Sequence, residues 1–300
     1  MNLPTLRQLQ YLTAVIEHKH FGQAAQHCFV TQSTLSAGIQ DLESILGTTL
    51  LERTNRKVIP TSIGIEISAR AQHILSLSSD MVDIAKSEQS PLTGRVRVGL
   101  IPSISPFLLP KALKSIRKEL PDLEVILIED QSERLLNKLR TGDLDIAVLA
   151  FPFDVSGLDY KIFADEQFWL AMPNSHRLAA EDYVQTSQLP VDELLLLSEG
   201  HCLREHALSA CQLPTTLQRT SVQGTSLYTL IEMVASGLGI TLIPEMAINS
   251  DMIQHADITL RKLASSSSKP MRELGLVWRP SYSRQTTLDS LSTLFAKALA

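Results

Sequence analysis

The N-terminal part of the chain is patterned as a series of amphipathic helices. Apolar residues recur at helical spacing over residues 5–17, 21–28 and 32–46, which predicts three helices. Thr31 is a good N-cap for the third helix, and Gly47 is expected to end it. A three-residue turn separates the second helix from the third, as in a helix-turn-helix.

A short hairpin and a long helix are predicted next. Residues 50–60 have the pattern of a β wing, and a helix is predicted from residue 61 to about residue 87. Apolar residues recur along this helix as in a coiled-coil seam, whereas the alternative is an amphipathic helix packed on its own domain. The polar segment 87–94 is the expected hinge between domains. The seam residues are Ile63, Ile67, Ile74, Leu77, Met81 and Ile84.

Beyond the hinge, predicted strands and helices alternate. The strands are expected at 95–100, 123–128, 146–149, 167–172, 194–197, 240–243 and 274–278. The helices are expected at 108–120, 134–140, after Leu203, at 227–236 and at 286–299. This βαβ alternation predicts an α/β fold with parallel sheets. Two such cycles predict two lobes, and the crevice between them is the usual place for a ligand or a reactive group.

Composition limits the class of protein. The chain has 300 residues, of which 44% are hydrophobic and 20% charged, as is ordinary for a soluble protein of about two domains. No apolar run approaches the roughly 18 residues of a membrane span, and the N-terminus lacks the apolar core of a signal peptide. We therefore expect a cytoplasmic protein with no membrane partner. The net charge of −5 by itself indicates neither nucleic acid nor membrane.

The candidate DNA-binding residues are small polar side chains at the start of the third helix and a basic cluster on the wing. The former suit hydrogen bonds to base edges in the major groove, and the latter suits phosphates. Charge supports this weakly, because residues 1–60 hold five Lys or Arg against four Asp or Glu, and the alternative for the cluster is a solvated charged turn. The residues are Thr31, Gln32, Ser33, Thr34, Ser36, Arg53, Arg56 and Lys57.

Two of the three cysteines carry the candidate chemistry. Cys202 and Cys211 are nine positions apart in a segment patterned as a helix. In a helix, nine steps place the two sulfurs on opposite faces and about 13.5 Å apart along the axis. A disulfide needs Cα atoms within about 7 Å, so a bond between these cysteines requires the backbone to move. Cys28 is expected to be a small core residue.

Several short motifs resemble those of LysR-type transcriptional regulators. They lie at residues 21–25, 31–36, 39–43, 46–47 and 51–54, and the match extends over the whole chain. Residues 99–102 and 200–204, together with the cysteine spacing, are similar to the peroxide-sensing members of that family. Ser33 is a departure, because recognition helices of this family often carry proline there.

The resemblance implies a domain organisation. It places a winged helix-turn-helix DNA-binding domain at 1–60, a linker and dimerisation helix at 61–90, and a redox-sensing regulatory domain at 91–300. The regulatory domain is expected to be a two-lobed, periplasmic-binding-protein-like (type 2) sensor. Lobe I would take about 91–163 and 269–300, and lobe II about 164–268. A tetramer on DNA, made as a dimer of dimers, is also implied.

The resemblance further assigns roles in the sensor. Cys202 would be the peroxide-reactive cysteine and Cys211 the resolving one. Ser103 and Ser132 stand where such sensors place threonine, so each keeps the hydroxyl but loses the methyl group. Arg272 is expected to help polarise the peroxide, and its alternative is a surface charge before a strand.

The reactive form of a cysteine is the thiolate, so the site must lower the pKa of Cys202. At the start of a helix, beside His201 and near Arg204, the sulfur is expected to gain this stabilisation. Attack on peroxide would give a sulfenic acid, which a second thiol converts to a disulfide.

These inferences predict a regulator that senses hydrogen peroxide and controls oxidative-stress genes, and not an enzyme. Its expected partners are double-stranded DNA, hydrogen peroxide, further copies of the chain, a thiol reductant and RNA polymerase, with no cofactor and no metal. One alternative is a LysR-type regulator with inert cysteines that answers a small metabolite between the lobes. Others are a thiol peroxidase or a solute-binding protein, against which the helix-turn-helix argues. A zinc site is the last alternative, with the ligands Cys202, His206, His201 and Cys211.

Overall fold

The chain folds into two compact units, one of residues 1–89 with 140–143 and one of residues 90–139 with 144–300. The computed structural model describes residues 3–53, 58–87, 92–198, 200–212, 226–265 and 270–299. Within these ranges, no helix is long and apolar enough to cross a membrane.

The N-terminal unit is a helical head with a hairpin and a long helix. Its elements are α1 (Leu6–His18), α2 (Phe21–His27), α3 (Gln32–Leu46), β1 (Leu51–Arg53), β2 (Val58–Pro60) and α4 (Ser62–Ser87). The two strands pair antiparallel, with Glu52 opposite Ile59. Leu12 and Val15 of α1 are fully buried with Leu35 and Ile39 of α3. The predicted winged helix-turn-helix is confirmed.

Local hydrogen bonds define the ends of α3 as the sequence predicts. Thr31 Oγ1 accepts a hydrogen bond from the backbone amide of Thr34 at 3.2 Å. Gly47 ends the helix with a φ of 65°, in the left-handed region that glycine tolerates best.

Cys28, expected in the core, lies at the C-terminal end of α2 and is only half-buried. This partial burial raises the pKa of its thiol.

Helix α4 has one face packed on the head and one apolar face open. Gly64 and Ala71 are buried, and a side chain at Gly64 would meet the carbonyl oxygen of Leu50 at 2.1 Å. Ile67, predicted in the seam, instead packs against the head core, because it follows Gly64 by one turn on the same side. The seam residues that remain exposed are Ile63, Ile74, Leu77 and Met81, whereas the side chain of Ile84 lies outside the described residues.

The C-terminal unit is built on a mixed sheet. Its strands are β3 (Gly94–Leu100), β4 (Leu123–Glu129), β5 (Ile146–Phe151), β6 (Asp159–Pro173), β7 (Tyr183–Gln185), β8 (Thr241–Pro244), β9 (Ile258–Ala264) and β10 (Met271–Trp278). The strand order is β4-β3-β5-β10-β6-β9-β7, and β8 also pairs with β6. Strand β3 is parallel to β4 and β5, whereas β10 is antiparallel to both β5 and β6.

Two hydrophobic cores lie along this sheet and define two lobes. The helices are α5 (Ser105–Glu119), α6 (Ser132–Thr141), α7 (Cys202–Ala210), α8 (Leu227–Ala235), α9 (Asp251–Gln254) and α10 (Gln285–Leu299). The core of lobe I draws on residues between 96 and 155 and between 274 and 298. The core of lobe II draws on residues between 168 and 263. Cys202 is an exception, because it packs into the core of lobe I.

Two expectations about the sheet were wrong. The parallel arrangement holds among β3, β4 and β5 and between β7 and β9, but β10 is antiparallel to β5 and β6, and β6 is antiparallel to β8 and β9. Residues 194–197 are buried but form no strand, and Leu194 pairs with Ile240 through an isolated parallel bridge. Strands β7, β9 and the first half of β6 were missed, because most of their residues are exposed or half-buried and form no apolar run.

Candidate redox site and nucleic-acid interface

Cys202 is the first residue of α7 and lies where two cores meet. Its side chain is 6% exposed and packs in the core of lobe I, whereas Leu203, Ala207 and Leu208 of the same helix pack in the core of lobe II. His201 occupies the N-cap position, but its side chain makes no capping hydrogen bond. Helix α7 therefore contacts both lobes.

A small cavity opens beside the Cys202 thiol. The space open to the centre of a water-sized molecule is about 10 Å³, which is at the threshold for holding one water molecule. Three predicted site residues line it with Cys202, namely Ser103, Ser132 and His201. Gly200 closes another wall with a φ of 90°, and a side chain there would approach that of Gln131 at 3.1 Å. The remaining lining residues are Ile101, Pro102 and Leu203.

Arg272 joins this site from strand β10 and is fully buried. Its Nε donates to Glu166 Oε2 at 2.8 Å, and its Nη1 donates to Ser103 Oγ at 3.0 Å. Arg272 and Glu166 are direct partners across the β10–β6 ladder. The surface alternative for Arg272 is therefore excluded. Sequence reasoning missed Glu166, because its partner Arg272 lies 106 positions away along the chain.

The environment of Cys202 differs from the one expected. Burial raises the pKa of the Cys202 thiol, while interaction with the Ser132 hydroxyl and the positive charge of Arg272 oppose the rise. Burial also lowers the pKa of His201, so its imidazole is neutral near pH 7 and supplies no charge. The guanidinium of Arg204 donates to the carbonyl of Leu197 at 3.4 Å. Of the three expected cations, Arg272 is thus the one whose charge opposes the rise in the pKa of the Cys202 thiol.

Cys211 follows the last residue of α7 and is also buried. It is 4% exposed in the core of lobe II, and burial raises the pKa of its thiol to about 12. Both cysteines are free thiols. Because residues 202–210 are helical, the Cα atoms of Cys202 and Cys211 are about 13.5 Å apart along the axis, beyond the roughly 7 Å that a disulfide spans.

His206, one turn after Cys202, belongs to no metal site that the structure describes. Its Nε2 lies 2.9 Å from the carbonyl oxygen of Pro152, and a carbonyl only accepts, so Nε2 carries the proton. The Nδ1 atom has no hydrogen-bond partner among the described residues, and burial lowers the pKa of the imidazole to about 4. The described ranges contain no group of three His, Cys, Asp or Glu side chains placed to hold a metal ion.

The candidate DNA-binding side chains at the start of α3 are at the surface. Thr31, Gln32, Ser33 and Thr34 are exposed, and Ser36 is half-buried. Thr31 Oγ1 lies 2.9 Å from Ser33 Oγ and 2.8 Å from Thr34 Oγ1, so these hydroxyls already contact one another. On the wing, the side chain of Arg53 and the whole of Arg56 and Lys57 lie outside the described residues.

A larger crevice between the lobes adjoins the small cavity. Its volume is about 350 Å³, and its lining is mainly apolar, with Phe107, Leu197, Leu227, Tyr228 and Met252. Pro102, Ser103 and His201 line both spaces. The fold thus combines a winged helix-turn-helix with a two-lobed domain that holds a buried thiol and an open crevice. This combination defines a DNA-binding transcriptional regulator with a sensor domain.

Comparison with known proteins identifies the family. The LysR substrate-binding domain matches residues 89–300, and the lysR family of bacterial regulatory helix-turn-helix proteins matches residues 6–65. The chain therefore belongs to the LysR family of transcriptional regulators.

Three relatives are informative. HTH-type transcriptional regulator EstR of Acinetobacter baylyi is 41% identical over 99% of this chain and 98% of its own length. The hydrogen peroxide-inducible genes activator of Haemophilus influenzae is 38% identical over 92% of this chain and 90% of its own length. The structure of a full-length OxyR cysteine variant from Pseudomonas aeruginosa matches with a TM-score of 0.81 at 33% identity, and covers 98% of this chain and 95% of that one.

Proposed function

We propose that this LysR-family regulator senses hydrogen peroxide through Cys202. The observation that carries the proposal is the cavity of about one water molecule's size, in which the Cys202 thiol meets the hydroxyls of Ser103 and Ser132. The buried Ser132 Oγ atom has no hydrogen-bond partner among the described residues, so it is available to a small polar ligand. The relative named as a hydrogen peroxide-inducible genes activator, which is aligned over 92% of this chain, supports the same function.

The proposed chemistry begins when Cys202 loses its proton. The Cys202 sulfur then attacks one oxygen of hydrogen peroxide, a sulfur–oxygen bond forms, and the oxygen–oxygen bond breaks. The sulfur is oxidised by two electrons to a sulfenic acid, and the other oxygen leaves as water after taking up a proton. Because Arg272 is cationic, it stabilises the thiolate before attack and the charge on the departing oxygen during attack.

The switch follows when Cys211 attacks the sulfenic acid. A disulfide forms, water leaves, and a thiol reductant later restores the two thiols. The helical separation of the cysteines prevents this bond while α7 is intact, so the bond requires that part of residues 203–211 unwinds. Unwinding withdraws one cysteine from its core and changes how the two lobes are joined.

The same proposal covers assembly and DNA. The exposed seam of α4 would pair two copies of the chain, and two such pairs would place their α3 helices on DNA in the cytoplasm. RNA polymerase would then respond to the rearranged subunits. The division at about residues 60 and 90, with the lobe boundaries near 163 and 269, belongs to this proposal.

Counting free thiols tests the redox function. The protein has three cysteines, so treatment with one equivalent of peroxide should lower the number of titratable thiols from three to one. Cys28→Ser is the matched control, because the count should then fall from two to none. A count that stays at three, or one that falls equally in Cys202→Ser, contradicts the proposal.

A regulator that answers a small metabolite is the second candidate. It is favoured by the apolar crevice of about 350 Å³ and by the similarity to EstR, whose name specifies no peroxide response. In that case Cys202→Ser leaves the transcriptional response unchanged, and a metabolite raises the melting temperature of the protein.

A further inference from the structure

The guanidinium of Arg272 has its donors distributed between the two lobes. Nε and Nη2 lie 2.8 and 2.7 Å from Glu166 Oε2. Nη1 donates to Ser103 Oγ at 3.0 Å, and Nη2 also lies 3.3 Å from the carbonyl oxygen of Ser103. The side chains of Arg272 and Glu166 are 0% and 4% exposed, so water does not compete for these bonds.

Both oxygens of Glu166 are in use. While Oε2 accepts from Arg272, Oε1 accepts from the backbone amide of Met246 at 2.7 Å. The carboxylate is therefore fixed in position and orientation, because rotation would break the bond with Met246. Because the carboxylate is fixed, the guanidinium of Arg272 can bond to it and to Ser103 at the same time in only one orientation.

The contact with Arg272 determines the role of the Ser103 hydroxyl. A guanidinium has no acceptor, so Ser103 Oγ must accept from Arg272. The single hydrogen of the hydroxyl is then directed away from Arg272. Since Ser103 lines the cavity beside Cys202, this hydrogen is available to an oxygen bound in the cavity.

We propose that Glu166 is a positioning residue of the peroxide site, which holds Arg272 so that the Ser103 hydroxyl donates a hydrogen bond to the departing oxygen of peroxide. The inference rests on the function proposed above. As the Cys202 sulfur bonds to one oxygen and the oxygen–oxygen bond breaks, the second oxygen becomes negatively charged. The Ser103 hydroxyl stabilises this charge by its hydrogen bond and transfers no proton, and the oxygen leaves as water with a proton from solvent.

A carboxylate is required at position 166, and an amide does not replace it. Glutamine offers one accepting oxygen and one donating amide group. The two partners, the amide of Met246 and the guanidinium of Arg272, are both donors. Glu166→Gln must therefore face one of them with its own donor, which displaces Arg272 or the segment at Met246.

The positioning role of Glu166 is tested by the rates at which the full-length reduced protein reacts with two reagents. Hydrogen peroxide needs the thiolate and stabilisation of a departing oxygen, whereas iodoacetamide needs the thiolate but no hydroxyl donor for oxygen. Ser103→Ala leaves the Arg272 charge in place and should slow oxidation of Cys202 by about tenfold, the value of one well-placed hydrogen bond, with alkylation unchanged. Glu166→Gln also displaces the charge that stabilises the thiolate, so it should slow both reactions, but oxidation by about tenfold more than alkylation. The double variant should be no slower than the slower single variant, because both changes remove the same hydrogen bond.

Two further variants keep the test decisive. Asp145→Asn removes another largely buried carboxylate, which holds Arg97 at 2.8 Å, and should leave both rates unchanged. Should Glu166→Gln fail to fold, Arg272→Lys keeps the charge but lacks the fork that reaches Glu166 and Ser103 together, and should slow oxidation alone.

Additive slowing in the double variant, equal slowing towards both reagents, or no slowing would overturn the positioning role of Glu166. If Cys202 of the wild type is alkylated but does not react with peroxide, both the proposed function and the positioning role of Glu166 are overturned.

Discussion

Cys202 and Cys211 stand at the two ends of α7, and each is buried in the core of a different lobe. In the reduced protein this helix therefore joins the lobes through its packing. A bond between the two sulfurs is incompatible with that packing, because the helix holds their Cα atoms about 13.5 Å apart along its axis. The proposed disulfide would therefore require the packing of α7 against the two lobes to change.

Stability should decrease through His206 as the pH falls from 6.5 towards 4. Burial lowers the pKa of His206 to about 4 from its usual 6.5, so the folded protein holds the neutral imidazole. Protonation of the imidazole favours the unfolded chain, in which His206 has its usual pKa of 6.5. The contribution of His206 to the free energy of unfolding is therefore complete above about pH 6.5, and it decreases by at most roughly 3 kcal/mol as the pH falls towards 4.

The measurement compares thermal melting of wild type and His206→Gln between about pH 5 and 8. Glutamine keeps a donor for the carbonyl of Pro152 but does not titrate. Wild type should lose stability relative to the variant on acidification. Parallel curves would show that another group is responsible.

Gln32 is expected to read bases, and Arg53 to bind phosphates. Gln32 is exposed in the first turn of α3, so Gln32→Ala should weaken a specific site by about 1 to 3 kcal/mol and relax base preference. Ser36→Ala is expected to act in the same direction. Arg53→Ala should weaken all sequences and reduce the salt dependence of binding. Titrations of specific and random DNA at several salt concentrations distinguish the two roles, and equal losses for Gln32→Ala on both DNAs contradict a reading role.

The open face of α4 should make the protein dimeric without DNA. Met81 is 71% exposed and Leu77 is 39% exposed on the same side of the helix. Met81→Asp places a charge in the seam and should shift the mass measured by light scattering towards the monomer. Ser79→Asp is the control, because residue 79 lies about 160° around the helix from Ile63. A monomeric wild type at micromolar concentration would contradict dimerisation through the seam.

Much of the N-terminal unit could be predicted from its sequence, because short-range signals determine it. Thr31 and Gly47 define the ends of α3 by their own chemistry. The strand pairing of the C-terminal unit could not be predicted in the same way, because β10 pairs with β5 and β6 through residues more than 100 positions apart. Apolar periodicity indicates burial but carries no information about strand direction.

The sequence indicates which residues surround the Cys202 cavity but not the electrostatics of the cavity. Ser103, Ser132, His201 and Cys202 do line one cavity, and Arg272 reaches it through Ser103. His201 and Arg204 adjoin Cys202 in sequence, but burial makes the former neutral and the latter bonds to Leu197. Which charge acts on a thiol depends on tertiary packing, and Glu166 became visible only through its contacts with Arg272 and Met246.

Replacing Cys202 should separate sensing from folding. Cys202→Ser substitutes a hydroxyl of similar size, which is a poor nucleophile at neutral pH, so folding and DNA binding should persist while the peroxide response disappears. In Cys211→Ser the sulfenic acid should still form, but no intramolecular disulfide traps it. A sulfenic-acid-specific label and DNA-binding titrations check both variants, and a peroxide response retained in Cys202→Ser would contradict the assignment.

Peptide mapping combined with amide hydrogen exchange tests the proposed switch of α7. After treatment of the wild type with peroxide, we expect a Cys202–Cys211 link together with changed exchange over residues 203–211, either faster or redistributed into a new protected form. Two free thiols after treatment, or a link formed while exchange in this segment stays the same, would contradict it.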